Sequence, residues 1–243
     1  MLHRPTPRAV LSAVKFLFLA ALALPLTALA QQSPTLDRDG LQRYAAANQQ
    51  LPPARAARPR VVLLGNSITE GWPKADSAFF RQGPYELVGR GISGQTSPQL
   101  LVRFRQDVLD LHPTVVVILA GINDIAQNTG PYSQQATFNN LQSMAELAQA
   151  HGIRVVLCSV LPAYDFPWRR GLEPAPKVLA LNKLLKDYAA RQRLTYLDYH
   201  AAMADSRQGL PPDLAKDEVH PTLAGYRVME PLLLRAIAAA LRK

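Results

Sequence analysis

Short apolar runs recur along this chain with amphipathic stretches between them, and that alternation leaves few architectures open. The runs fall at 61–64, 86–88, 115–120, 155–160 and 195–197 and are rich in Val, Ile and Leu. Most lack a polar residue at alternate positions, so both faces of each strand must be covered, as in a parallel sheet. Amphipathic segments lie at 97–111, 133–151, 176–193 and 222–241. Pro98 and Pro176 stand where a first helical turn tolerates proline, and Gly152 stands where a helix closes. Strand, helix, strand in repetition predicts a three-layer α/β/α domain around an open, doubly wound parallel sheet.

The two ends of the 243-residue chain read differently. Arg4, Arg8 and Lys15 come first, accompanied by a short apolar run at 16–24 that Pro25 interrupts. Ala28-Leu29-Ala30 then offers small residues before a cut at Gln31. Residues 1–30 therefore read as a secretory signal peptide, which predicts an exported protein, periplasmic or secreted. The apolar run is too short to span a bilayer comfortably, so no stable membrane insertion is expected once it is removed. Residues 31–59 read as an N-terminal helix and linker, with one helix around 37–50 before the Pro- and Arg-rich stretch at 52–59. The α/β domain is expected over 60–243, and a length of this order suits one such domain better than two.

Charge and cysteine usage narrow the partners. The chain has 27 Lys and Arg against 18 Asp and Glu; the leader holds three of the basic residues and no acidic one, so the remainder carries +6 (24 less 18). These cations are scattered, and the densest spots lack the interleaved aromatics of a single-strand groove, which argues against nucleic acid as a partner. Cys158 is the only cysteine and sits inside an apolar run, where a small core residue is expected. No His or Cys pair has metal-ligand spacing, so neither a metal nor a cofactor is implied.

An open sheet of this kind binds ligands beyond the carboxyl ends of its strands, at the switch in strand order. The residues after each run are therefore the ones to inspect. Gly65-Asn66-Ser67-Ile68-Thr69 follows the first, Gly89-Arg90-Gly91-Ile92-Ser93-Gly94-Gln95-Thr96 the second, and Gly121-Ile122-Asn123-Asp124 the third. Asp217-Glu218-Val219-His220-Pro221 precedes the last amphipathic segment. Each has a bland reading: Ser67 as a helix N-cap, the glycines as a plain turn, Asn123-Asp124 as a turn former, His220 as a surface residue. Together, however, a serine, a glycine loop, an asparagine and Asp-x-x-His supply every component of nucleophilic acyl transfer.

These four blocks, in this order, resemble the SGNH or GDSL-type hydrolases, a family of esterases, lipases and carbohydrate acyl-esterases. The resemblance runs from Arg60 to the C-terminus. It implies the SGNH hydrolase fold, with a flavodoxin-like five-stranded parallel sheet. It also implies Ser67 as nucleophile, His220 as general base and Asp217 as the carboxylate orienting it. The oxyanion donors would be the backbone N–H groups of Ser67 and Gly94 and the side chain of Asn123. Where the family more often has Asp, this chain has Asn66, which changes local hydrogen bonding at the Ser67 turn.

For the substrate, Trp72, Phe166, Trp168 and Arg169 are candidates at the rim, with Asn66 beside the nucleophile. Aromatics there suit sugar rings, although packing of the loop is an equal alternative. No long apolar insertion suggests a lid or acyl tunnel. The expectation is thus a short acyl group, such as acetyl, on a carbohydrate or small alcohol. A lipase-like acyl-hydrolase, lysophospholipase or thioesterase is the runner-up, and a non-catalytic carbohydrate-binding module on the same fold is the rival from another class. The sequence does not fix the oligomeric state.

Overall fold

The computed structural model describes residues 1–2 and 37–243, so the leader expected over 1–30 lies, from position 3 on, outside the described residues. Five parallel strands form one sheet in the order β2-β1-β3-β4-β5. They are β1 (Arg60–Gly65), β2 (Glu86–Gly91), β3 (Val115–Leu119), β4 (Arg154–Cys158) and β5 (Thr195–Leu197). This is the flavodoxin-like order, whose switch point lies between β1 and β3. In register, Gly65 pairs with Gly91 on one side and Leu119 on the other, so the turns after these strands emerge side by side.

Burial explains why the strands lack polar alternates. Val62, Leu64, Val116, Ile118, Val155 and Leu157 face one core layer, which includes side chains of α7 (Gln134–Ala150) and α8 (Pro174–Arg191). Val61, Leu63, Val115, Val117, Val156 and Cys158 face the other, packed by α2 (Ser67–Ala75) and α10 (Leu223–Leu241). Trimming one such leucine to alanine typically costs about 2–5 kcal/mol, because the close-packed layers cannot fully collapse into the gap. Cys158 is buried, as its apolar run implies.

Two expectations change in detail. The segment at 97–111 is not one helix but α4 (Ser97–Val102), α5 (Phe104–Asp107) and a 3-10 turn (Leu109–Leu111), broken at Arg103 and Val108. Arg103 and Asp107 are fully buried and paired at 2.9 Å. The guanidinium also donates to the carbonyls of Gly65 at 3.0 Å and Arg90 at 2.8 Å, and these polar ties to the sheet edge override the helical period. The helix expected around 37–50 shrinks to α1 (Ala45–Gln49), preceded by turns. Residues 37–59 pack with the rest, and residues 37–243 form one compact unit. Asn48 shows why: its amide donates to Asp107 at 2.7 Å and accepts from Arg90 at 2.8 Å. The remaining short helices are α3 (Ser77–Gln82), α6 (Ile122–Ile125) and α9 (Tyr199–Met203).

Candidate active site

Between β1 and α2 only Asn66 intervenes, so the chain turns sharply from sheet to helix and lifts Ser67 onto the carboxyl edge. Ser67 opens α2, where a backbone N–H has no acceptor within the helix and the helix dipole favours negative charge. Asn66 is buried and its side chain accepts the Ile68 N–H at 3.4 Å. It therefore acts as the helix N-cap, using the carbonyl oxygen that a carboxylate would otherwise offer. It is not available to a substrate.

His220 comes from the loop before α10, 153 residues further along, and its Nε2 lies 2.8 Å from Ser67 Oγ. Its Nδ1 lies 2.7 Å from Asp217 Oδ2. The loop has little freedom. Asp217 Oδ1 accepts the backbone N–H of His220 at 2.7 Å and of Val219 at 3.2 Å, and an isolated bridge joins Ala215 to Pro221. Burial alone would raise the Asp217 carboxyl, but these donors outweigh it and hold the group below the usual carboxylate range. Distance between the two halves is set by packing of α10 on α2: the Tyr226 hydroxyl donates to the Ile68 carbonyl at 2.8 Å.

The second and third blocks follow β2 and β3, the strands paired on either side of β1. Gly94 has φ +78°, a left-handed conformation that glycine adopts without strain. Its carbonyl accepts from Asn128 at 3.1 Å. Asn123, buried in α6, donates one amide hydrogen to the Gln95 carbonyl at 2.9 Å, which orients the side chain and leaves its second N–H uncommitted by that bond. Asp124 anchors the same region by accepting the Ser97 N–H at 3.0 Å and the Ser97 hydroxyl at 2.6 Å. Burial, its largest influence, raises the Asp124 carboxyl despite those donors.

The rim residues separate into two groups. Trp168 stands beside the imidazole, with ring centroids 5.9 Å apart, and is 49% exposed. Phe166 is fully buried and supports Trp168 from below at 5.3 Å, so it does not itself line the rim. Trp72 is not at the rim at all: it is 2% exposed, stacked on Tyr226 at 5.3 Å and on Phe79 at 5.8 Å. Its position in α2 points it at α10 and away from solvent. Arg169 spends its guanidinium on the carbonyls of Ala126 and Gln127, both at 2.7 Å, and so ties the Trp168 loop to the segment after α6. Glu70 escaped the sequence reading. It follows Ser67 by three residues on α2, a spacing that puts the two on one face, but its partners become visible only once β1 and β2 pair.

A parallel sheet carrying this relay at its carboxyl edge defines a hydrolase of the SGNH kind. Residues 63–228 match the GDSL-like lipase/acylhydrolase family, and the chain belongs to that family and is a carboxylic ester hydrolase. The crystal structure of a candidate acylhydrolase from Bacteroides fragilis NCTC 9343 is 47% identical, covering 85% of this chain and 100% of that one, with a TM-score of 0.82. An acetylxylan esterase of Geobacillus stearothermophilus is 28% identical over 215 residues, or 73% of this chain and 93% of the relative. The uncharacterized lipoprotein YqeF of Bacillus subtilis (strain 168) is 32% identical over 120 residues, which span 43% of this chain and 49% of the lipoprotein.

Proposed function

We propose that this protein removes short acyl groups, acetyl above all, from a carbohydrate by way of a covalent intermediate on Ser67. The observation that carries this reading is the relay itself, 2.8 Å from Ser67 Oγ to His220 Nε2 and 2.7 Å from His220 Nδ1 to Asp217 Oδ2. His220 takes the hydroxyl proton as Ser67 attacks the ester carbonyl and returns it to the leaving alcohol. Asp217 holds the tautomer that keeps Nε2 free for this and stabilises the imidazolium. Negative charge on the tetrahedral oxygen falls to the N–H groups of Ser67 and Gly94 and to the Asn123 amide. Water then enters by the same route and His220 repeats its role, releasing the acid.

One feature of the structure supports the substrate class. Trp168 offers a half-exposed aromatic face beside the base, the kind of surface on which a sugar ring stacks. The resemblance to an acetylxylan esterase agrees with this reading.

Hydrolysis of p-nitrophenyl acetate, longer-chain nitrophenyl esters and acetylated xylan, each with Ser67→Ala as control, tests it. Ser67-dependent turnover that falls with chain length is the expected result; turnover rising with chain length would favour a lipase-like enzyme instead. We also propose export, on the leader pattern of residues 1–30 and the likeness to a lipoprotein. N-terminal sequencing of the extracellular or periplasmic fraction, with the mature chain starting at Gln31, is the check.

A further inference from the structure

Around the second block, the chain has built more support than a turn requires. Glu70 Oε2 accepts the Ser93 N–H at 2.9 Å and also the Ser93 hydroxyl. Its other oxygen accepts from Arg43 Nη2 at 2.9 Å. Arg43 belongs to the strap formed by residues 37–51, which crosses the loop: the Tyr44 hydroxyl donates to the Gly91 carbonyl, and Gln95 donates to the Asp39 carbonyl at 2.8 Å. The loop also lies hard against the nucleophile helix. A Cβ on Gly91 would come within 2.3 Å of the Glu70 nitrogen and 2.6 Å of the Asn66 carbonyl oxygen.

We infer that Glu70 is a positioning residue, holding the Ser93-Gly94 loop and, through Arg43, the 37–51 strap at a fixed distance from the first turn of α2. The inference rests on the acyl-enzyme reading of Ser67, because it concerns the spacing between nucleophile and oxyanion donors. The Ser93 N–H lies in the peptide unit before the one that carries the Gly94 N–H; holding Ser93 by both its N–H and its hydroxyl leaves only the Ser93 φ and ψ between the clamp and that donor. A surface ion pair alone would do little. Here the carboxylate is 16% exposed and accepts three hydrogen bonds, two of them from the loop it positions. Burial by itself would raise the Glu70 carboxyl, but the Ser93 hydroxyl, Arg43 and the Ser93 N–H hold it below the ordinary range. It is therefore a carboxylate at neutral pH, and its charge near a developing oxyanion is balanced by Arg43. The strap thus takes part in catalysis through electrostatics as well as through packing.

Glu70→Ala, Glu70→Gln and Arg43→Ala, made in the chain starting at Gln31, test this against Arg58→Ala. Arg58 anchors the segment after the strap to the carbonyls of Arg81 and Gly83, away from the loop, and serves as the control for simple destabilisation. Glu70→Ala is expected to lower kcat on p-nitrophenyl acetate about 10- to 100-fold with KM changed by no more than about twofold. Glu70→Gln, which keeps an acceptor for Ser93, recovers part of that loss, Arg43→Ala loses less, and Arg58→Ala keeps the parent kcat. Hydrogen exchange at 91–96 is expected to quicken in Glu70→Ala whether or not an ester is present. Unchanged exchange there overturns the inference whatever the activity, as does a kcat loss that merely follows Tm across all four variants. Absence of Ser67-dependent turnover in the parent, with exchange still quickened, would instead remove the acyl-enzyme reading and leave the clamp standing as a structural one.

Discussion

Trp168 lies with its ring centroid 5.9 Å from that of His220, tilted by 35°, and it is held there by a fully buried neighbour, Phe166. On the proposed mechanism His220 is the general base, and an exposed indole fixed beside it would be a platform for whatever the leaving group is attached to. Arg169, in the next position, locks the platform by binding the carbonyls of Ala126 and Gln127.

Trp168→Ala is accordingly expected to separate two kinds of substrate. On acetylated xylo-oligosaccharides kcat/KM should fall roughly three- to tenfold, the worth of one aromatic stacking contact. On p-nitrophenyl acetate, which has no sugar, the change should be small. Equal losses on both would mean that Trp168 acts through His220 and not through the sugar.

Asn123→Ala removes one of the proposed oxyanion donors and should reduce kcat by about 100- to 1000-fold. The substitution also leaves the Gln95 carbonyl without its partner, so unfolding by urea should be measured beside turnover. A variant with parent kcat would exclude Asn123 from the oxyanion site.

Asp217→Asn keeps an oxygen for the N–H groups of His220 and Val219 but disturbs the tautomer of the imidazole. A loss of kcat of up to about 10⁴-fold is expected. The same group contributes to stability with a definite sign. Its folded pKa is depressed, so its contribution is present above the unfolded value of about 3.9 and is lost as pH falls through the folded one. Thermal melts should show the parent losing Tm more steeply than Asp217→Asn below about pH 4.

His200 follows β5 and is 7% exposed, and its Nε2 has no hydrogen-bond partner. Burial lowers the imidazole pKa, and Asp198 offsets this only in part. The ring is neutral in the folded chain, so the stability it permits is present above about pH 6.5 and lost as pH falls through the depressed folded value. His200→Leu should flatten the decline in Tm between about pH 7 and pH 5. An unchanged slope would show that His200 takes up its proton without cost.

What could be read from the chain depended on how local its cause was. Val61 to Leu64 and Val115 to Leu119 are doubly buried strands, and uninterrupted apolar runs report that directly. Ser67 and Asn123 stand out as candidates because each follows an apolar run, and His220 because of its Asp-x-x-His spacing; the fold brings Ser67 Oγ and His220 Nε2 within 2.8 Å. For Trp72 and Phe166 the sequence leaves rim and packing equally open, because it records that a residue is aromatic but not which face of the fold it meets; both pack. Tyr226, which stacks on Trp72, lies 154 positions away (226 less 72). The breaks at Arg103 and Val108 were invisible for a related reason: the buried Arg103–Asp107 pair answers to carbonyls on β1 and β2, not to its neighbours in the helix. Glu70 and Arg43 fall in the same class, since their contact joins a strap and a loop that only the sheet brings together.

The account turns on an ester carbon becoming bonded to Ser67 Oγ. Acid-quenched intact-mass and peptide mass spectrometry during turnover of p-nitrophenyl acetate measures that bond directly. An acetyl adduct on the peptide containing Ser67, accumulating in the parent and absent from Ser67→Ala, is the predicted result. Undiminished turnover in Ser67→Ala, or an adduct confined to another residue, would contradict it.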